Sequence, residues 1–239
     1  WWIVAVTRSF PGRRRVHLGD VAASGRLRLD AAARYLQDIA TDDAADVGLA
    51  DGWVLRRTTM HFHRFPRFRD EVDLVTWCSG TSSTAAERCT VLSLPEGPAL
   101  ESVALWAFVG ADGRPQRLDV ESFARLGIPK DAPRVATRLH HPDPPEGASG
   151  RPWPLRLTDV DLLGHVNNAV TLAAFEEVLA EHGRTLAVPC TVEVEYRMPL
   201  LPDDEPEVVT DVASDGTLWS WIRAGGAVRT SSRHSGSRV

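Results

Sequence analysis

Two stretches of this chain follow one plan, and that repeat constrains the fold more than any composition figure. At a constant offset of 139 positions, Val16, Leu18, Asp20, Val21 and Gly25 fall on Leu155, Leu157, Asp159, Val160 and Gly164. The same 139 carries Leu36 onto Phe175 and Ile39 onto Val178. Further along, at an offset of 133, Arg64-Phe65-Pro66 with Asp70 matches Arg197-Met198-Pro199 with Asp203. The six positions between the two offsets are a helix-to-strand insertion, which a loop absorbs at little entropic cost. A doubled chain of this kind folds as two similar halves. They differ where chemistry is concerned: Asp161 and His165 of the second copy match Ala22 and Arg26 of the first.

The first copy reads as an extended run over 14–18, a loop through Gly25, and a helix from about 29 to 46. Leu29, Ala33, Leu36, Ile39 and Ala40 recur at helical spacing, and Gly48 is a terminator. Strand-like runs follow at 53–63, 71–78, 85–94 and 100–109, rich in Val, Thr, Phe and Trp, with a turn at Pro95-Glu96-Gly97-Pro98. The second copy repeats this with a strand over 153–158 and a helix from about 168 to 181. Leu172, Phe175, Val178 and Leu179 are that helix's buried stripe, and strands follow at 191–197, 207–213, 218–224 and 227–230. One long helix followed by a run of strands predicts an α+β fold, an antiparallel sheet wrapped round its helix in each half. The expected organisation is a first half over 1–127, a Pro- and Gly-rich linker over 128–150, a second half over 151–232, and a polar, disordered tail over 233–239.

With 239 residues, 43% hydrophobic and 25% charged, the chain reads as an ordinary soluble globular protein. A net charge of −5 argues against a nucleic-acid binder. No run approaches the roughly 18 apolar residues of a membrane span. The apolar opening from Trp1 to Val6 is too short for a signal peptide, so the expectation is a cytoplasmic protein. Cys78, Cys89 and Cys190 are widely spaced and read as buried, reduced thiols. Neither His61 with His63 nor His140 with His141 has evident ligand company in sequence, so no metal and no cofactor are expected. Five arginines between Arg56 and Arg69 are either a solvated strand face or a landing site for an acidic partner.

The loop from Asp159 to Asn168 is where chemistry concentrates. Asp161 and His165 flank the approach to a helix, with Gly164 between them. Helix N-termini offer unpaired N–H groups and partial positive charge, and a glycine lets a substrate approach the backbone. The N–H groups from Gly164 to Val166 are therefore candidates for an oxyanion hole, with Asn167 and Asn168 beside them for substrate. Asp161 is a candidate general base or nucleophile, and His165 its partner in orienting substrate or moving a proton. The competing structural roles are a turn cap for Asp161, a core imidazole for His165 and a helix cap for Asn167. The Ala22 and Arg26 counterparts argue against the first two.

D-x-D-x-x-G-H-V-N-N over Asp159 to Asn168, followed by a long helix, resembles the signature of hotdog-fold thioesterases. The two-copy order, with Gly19 to Asp38, Gly52-Trp53-Val54 and Thr76-Trp77 in the first half, resembles the plant and bacterial acyl-acyl carrier protein thioesterases, which are double hotdogs. The resemblance covers nearly the whole chain. It implies hydrolysis of fatty acyl-acyl carrier protein, without cofactor, by the second hotdog, with the first shaping the acyl pocket. Asp161 takes the family's catalytic acid and His165 its imidazole. The chain departs from plant members at Leu163, where they place Asn, and at Pro199 and Leu200, where they place a Glu-Cys pair. Glu176 and Glu177 are candidate substitutes. Trp53, Trp77, Trp106 and Phe108 are candidates to line an acyl tunnel, and Arg56, Arg57 and Arg64 to receive the acidic carrier protein. Acyl-CoA hydrolysis and acyl binding without cleavage remain alternatives on the sequence, and a monomer and a homodimer are equally compatible with it.

Overall fold

Alternation along the strands decides which side of this molecule is greasy. The computed structural model describes residues 8–49, 52–118, 120–128 and 132–236. Its strands are β1 (Phe10–Arg15), β2 (Trp53–Phe62), β3 (Glu71–Thr81), β4 (Ala85–Leu94), β5 (Gly97–Phe108), β6 (Arg151–Pro152), β7 (Cys190–Tyr196), β8 (Glu207–Val212), β9 (Leu218–Ala224) and β10 (Ala227–Gly236). The helices are α1 (Leu29–Asp46), the short α2 (Val120–Arg125) and α3 (Val170–Glu181). Val72 and Leu74 of β3, Met60 and Phe62 of β2, and Val192 and Val194 of β7 all turn inward and share one core with Leu29, Leu36, Phe175 and Val178 of the helices. Both long helices thus lie on the same face of the sheet, α1 packed against α3. No helix among the described residues is long and apolar enough to cross a membrane.

All ten strands form one sheet, ordered β1-β3-β4-β5-β2-β7-β10-β9-β8-β6. The first copy fills one side and the second the other, joined where β2 pairs antiparallel with β7. There Arg57 pairs with Glu195 and Phe62 with Cys190. Moved back by the repeat's 133 positions, Glu195 becomes position 62 and Cys190 position 57. Each strand therefore meets its own copy about a twofold axis, as in an isologous dimer fused into one chain.

Several elements differ from the sequence expectation. The first strand runs Phe10–Arg15, ahead of 14–18, because Leu18 lies in a short 3-10 turn closed by the Asp20 carboxylate on the His17 N–H at 2.9 Å. Pro11 and Gly12 are tolerated because β1 is an edge strand. Likewise only Arg151–Pro152 pairs as β6, and Leu157 of the expected strand is 91% exposed in the matching turn. Residues 233–236 of the expected disordered tail continue β10, paired with β7 to Gly236 and with β9 as far as His234, whose side chain is buried. Backbone pairing on both sides fixes such a strand whatever its side chains. Residues 237–239 of that expected tail lie outside the described residues.

The stretch that reads as a spacer, from residue 132 onward, crosses the outer face of the sheet as a strap. The Trp221 indole donates to the Pro142 carbonyl at 2.9 Å, and Arg197 donates to the carbonyls of His141 and Pro142 at 2.6 and 3.1 Å. His140 and His141, without company in the sequence, meet Glu193 and Glu195 of β7.

Candidate active site

The loop before α3 is a local fold made of backbone, and the first copy makes the same one. In the second copy Asp161 N–H donates to the His165 carbonyl at 2.9 Å, Gly164 N–H to the Asp161 carbonyl at 3.0 Å, and Asn167 N–H to the Asp159 carbonyl at 2.8 Å. In the first, Ala22 donates to Arg26 at 2.8 Å, Gly25 to Ala22 at 2.8 Å and Arg28 to Asp20 at 2.9 Å. Val160 bridges Val166 as Val21 bridges Leu27. Gly164 has φ +77° and Gly25 +79°, a left-handed turn that a Cβ would strain. The turn forms around Ala22 and Arg26, so neither an acid nor an imidazole is needed to build it.

The Asp161 carboxylate is half-buried. One oxygen accepts the Leu163 N–H at 2.9 Å, and the other is 3.4 Å from the Asn167 side-chain amide. Asn167 in turn accepts the Ala169 N–H at 2.9 Å, which steadies the approach to α3. His165 is exposed beside them. Leu163, at the position where plant members hold Asn, is 69% exposed, and Leu200 is buried with its carbonyl taking the Val166 N–H at 2.9 Å. This corrects the expected oxyanion hole. The Gly164 and Val166 amides already have backbone acceptors, which leaves the His165 N–H as the amide of that trio with none among the described residues. The Asn168 carbonyl accepts from the Tyr196 hydroxyl at 3.4 Å.

Glu176 is occupied elsewhere. It pairs with Arg26 and accepts the Leu29 N–H at 3.0 Å, capping α1 from α3. Glu177 lies 3.8 Å from Arg151 on the helix surface. The repeat adds a residue that sequence reasoning missed. At the offset of 139, Arg26 matches His165 and Glu176 matches Gln37 of α1, so Gln37 holds the position in the first copy that the Arg26 partner Glu176 holds in the second. The same offset, applied to Glu176 in reverse, was the signal that could have found it.

Gln37 lines a cavity of about 20 Å³ between α1 and the first-half strands, with Ala33, Leu36, Leu55, Trp106 and Tyr196 around it. Tyr196 therefore touches the cavity with its ring and the α3 approach with its hydroxyl. Of the aromatic candidates, Trp106 lines this space. Trp53 packs on Phe108 at 5.4 Å, away from the cavity lining. Trp77 alternates with buried Thr76 and Cys78 onto the outer face, which removes it from any pocket under the helices. The arginines have partners within the chain: Arg56 donates to the Arg197 carbonyl at 3.0 Å, Arg57 to the Arg138 carbonyl at 3.4 Å, and Arg64 faces Glu96 at 3.7 Å. The first two tie seam and strap together. Burial raises all three thiols, Cys190 to about 11, so no cysteine is an activated nucleophile.

Comparison with known proteins places this geometry. A model of the acyl-ACP thioesterase N-terminal domain matches residues 8–121, and one of the C-terminal domain matches residues 144–234. The uncharacterized protein Rv2001 of Mycobacterium tuberculosis is 29% identical over 190 residues, 78% of this chain and 76% of that one. An acyl-ACP thioesterase from Bacteroides thetaiotaomicron superimposes with a TM-score of 0.78 at 19% identity, over 95% of this chain and 96% of its own. The 12:0-ACP thioesterase from Umbellularia californica does so at 0.75 and 19%, over the same 95% and 96%. These structures share the tandem hotdog fold. Matched in order along both halves, the chain belongs to the acyl-ACP thioesterase family and is a thioester hydrolase.

Proposed function

We propose that this thioesterase releases fatty acids from acyl carrier protein at one site, the second-copy loop, with Asp161 as base and His165 and Gln37 as its partners. The observation that carries the reading is the pair of loops with one backbone and one set of reactive side chains. Asp161 takes a proton from water, whose oxygen adds to the thioester carbonyl carbon. The His165 N–H receives the developing oxyanion, and the Gln37 amide orients water or carbonyl from the opposite helix. Collapse of the adduct breaks the C–S bond, and the proton passes to the departing thiolate of the carrier's arm, with the His165 ring as the conduit. Acyl chain burial is worth about 0.8 kcal/mol per methylene, and the space under α1 beside Trp106 is where the chain lies. As the cavity stands at about 20 Å³, it admits a chain only when side chains around it move apart. Reduced cysteines and carrier-linked substrate fit action in the cytoplasm.

Thiol release measured side by side on acyl-acyl carrier protein and acyl-CoA tests the assignment. Wild type should favour the carrier protein, and Asp161→Asn should stop release from both while leaving acyl binding intact. Equal turnover of the two substrates would move the assignment to an acyl-CoA thioesterase. Acyl binding with no turnover by wild type would make the protein a binding module.

A further inference from the structure

Four side chains meet beneath the strap, on the sheet face opposite the helices and the reactive loop. His140, His141, Glu193 and Glu195 each bring a ligand-capable atom into a group within 4.8 Å. We propose that they build a divalent metal site, with His140 Nε2, His141 Nε2 and Glu193 Oε1 as ligands and zinc as the ion that suits them. The inference does not depend on the thioesterase assignment.

Both imidazoles aim Nε2 at the same carboxylate oxygen, His140 from 3.0 Å and His141 from 2.7 Å. Ligand atoms around a tetrahedral zinc at its usual bond lengths lie roughly 3.3 Å apart, so a small tilt of each ring opens the space. The other nitrogens lie near oxygens as well: His141 Nδ1 is hydrogen-bonded to Ser231 Oγ at 2.9 Å, and His140 Nδ1 lies 3.3 Å from Glu195 Oε1 without hydrogen-bond alignment. The second Glu193 oxygen accepts from the Thr59 hydroxyl at 2.9 Å. Such partners are what orient metal-bound imidazoles and carboxylates. Glu195 fixes the strap as well, its two oxygens accepting the backbone N–H groups of His140 at 2.7 Å and His141 at 3.0 Å.

As hydrogen-bond donors to Glu193, both rings carry a proton on Nε2. As ligands they carry it on Nδ1, where Ser231 receives that of His141. Two carboxylates balance the ion's charge. Two arginines oppose it: Arg57 Nη1 stands 3.3 Å from His140 Nδ1, and Arg233 Nε stands 3.3 Å from Glu193 Oε1. Arg57 keeps the Arg138 carbonyl as a second acceptor, while Arg233 Nε lacks hydrogen-bond alignment and its guanidinium lies over Trp219. Two nitrogens and one oxygen suit a borderline ion better than calcium or magnesium, which prefer all-oxygen sites. The His141 side chain is fully buried and that of His140 is 52% exposed, so the fourth position opens to water on the strap side. A bound ion would pin the strap to the seam strand β7.

The full-length protein, dialysed against a chelator and titrated with zinc by calorimetry, tests this. One zinc should bind per chain and raise the melting temperature. His140→Ala, at the exposed and structurally mildest position, should abolish measurable binding. Ser231→Ala should weaken it by about 10- to 100-fold. Cobalt(II) should give a spectrum without thiolate charge transfer. Nitrogen-edited NMR should move both ring protons from Nε2 to Nδ1 on zinc addition. Failure of wild type to take up more zinc than His140→Ala would overturn the site, as would cobalt bands from cysteine.

Discussion

Asp161→Asn keeps the shape of the side chain and its acceptor for the Leu163 N–H but removes the base. Thiol release should fall by about 10²- to 10⁴-fold, the usual worth of a general base. Asp161→Ala should cost less than about 1 kcal/mol in urea unfolding, because the first copy builds the same turn around Ala22. If instead the protein unfolds readily, the acid belongs to the scaffold. Gln37→Ala should lower kcat tenfold or more on the strength of its symmetry relation to His165, with a smaller effect on KM, and steady-state kinetics separates the two. Asp161 and His165 stand out as candidates in the sequence because their counterparts, Ala22 and Arg26, differ in kind. Gln37 did not stand out there, because it lies on a helix that reads locally as scaffold and is singled out only by its match to Glu176. Nor did the committed state of the Gly164 and Val166 amides, which depends on where Asp161 and Leu200 carbonyls lie in space.

Among the elements, α1 and α3 are tied by Glu176, which caps one from the body of the other. Glu176→Ala leaves the Leu29 N–H and Arg26 without this acceptor, and should lower stability by about 1–3 kcal/mol in urea unfolding. Activity per folded molecule should survive. An equal loss of activity would return Glu176 to the list of reacting groups. Trp106 lines the cavity under α1 that is proposed to take the acyl chain. Trp106→Ala should shift preference toward longer chains, by up to about fourfold in kcat/KM per added methylene. An unchanged chain-length profile would place the tail elsewhere. Helix α1 was legible to the residue, since an 18-residue stripe at helical period has few other solutions. The strands β1 and β10 were not: one is an edge strand with Pro and Gly, the other a polar strand made by its neighbours.

At the scale of the molecule, doubling was legible and its geometry was not. Nothing in the local pattern of β2 says that its partner is β7, since the pairing belongs to the twofold axis. The strap was similarly hidden, because prolines and glycines read as a spacer whether or not something lies underneath. Global stability should carry the mark of His234, buried on β10 where desolvation and then Arg184 hold its imidazole below 6.5. The native state therefore keeps it neutral. Its stabilisation is complete above about pH 6.5 and is lost as pH falls through the lower folded value, because the unfolded chain takes the proton first. Urea midpoints at pH 7.5 and 5.5 should diverge in wild type and draw together in His234→Phe. Equal divergence in both proteins would clear this residue.

Arg26 clamps the first loop to Glu176 on the opposite helix with an ion pair partly hidden from water. The mirrored positions hold His165 and Gln37, an imidazole and an amide rather than a pair of opposite charges. One end of the molecule is thus bolted by charge, and the other is not. A body assembled from two equal halves has in this way gained a front and a back.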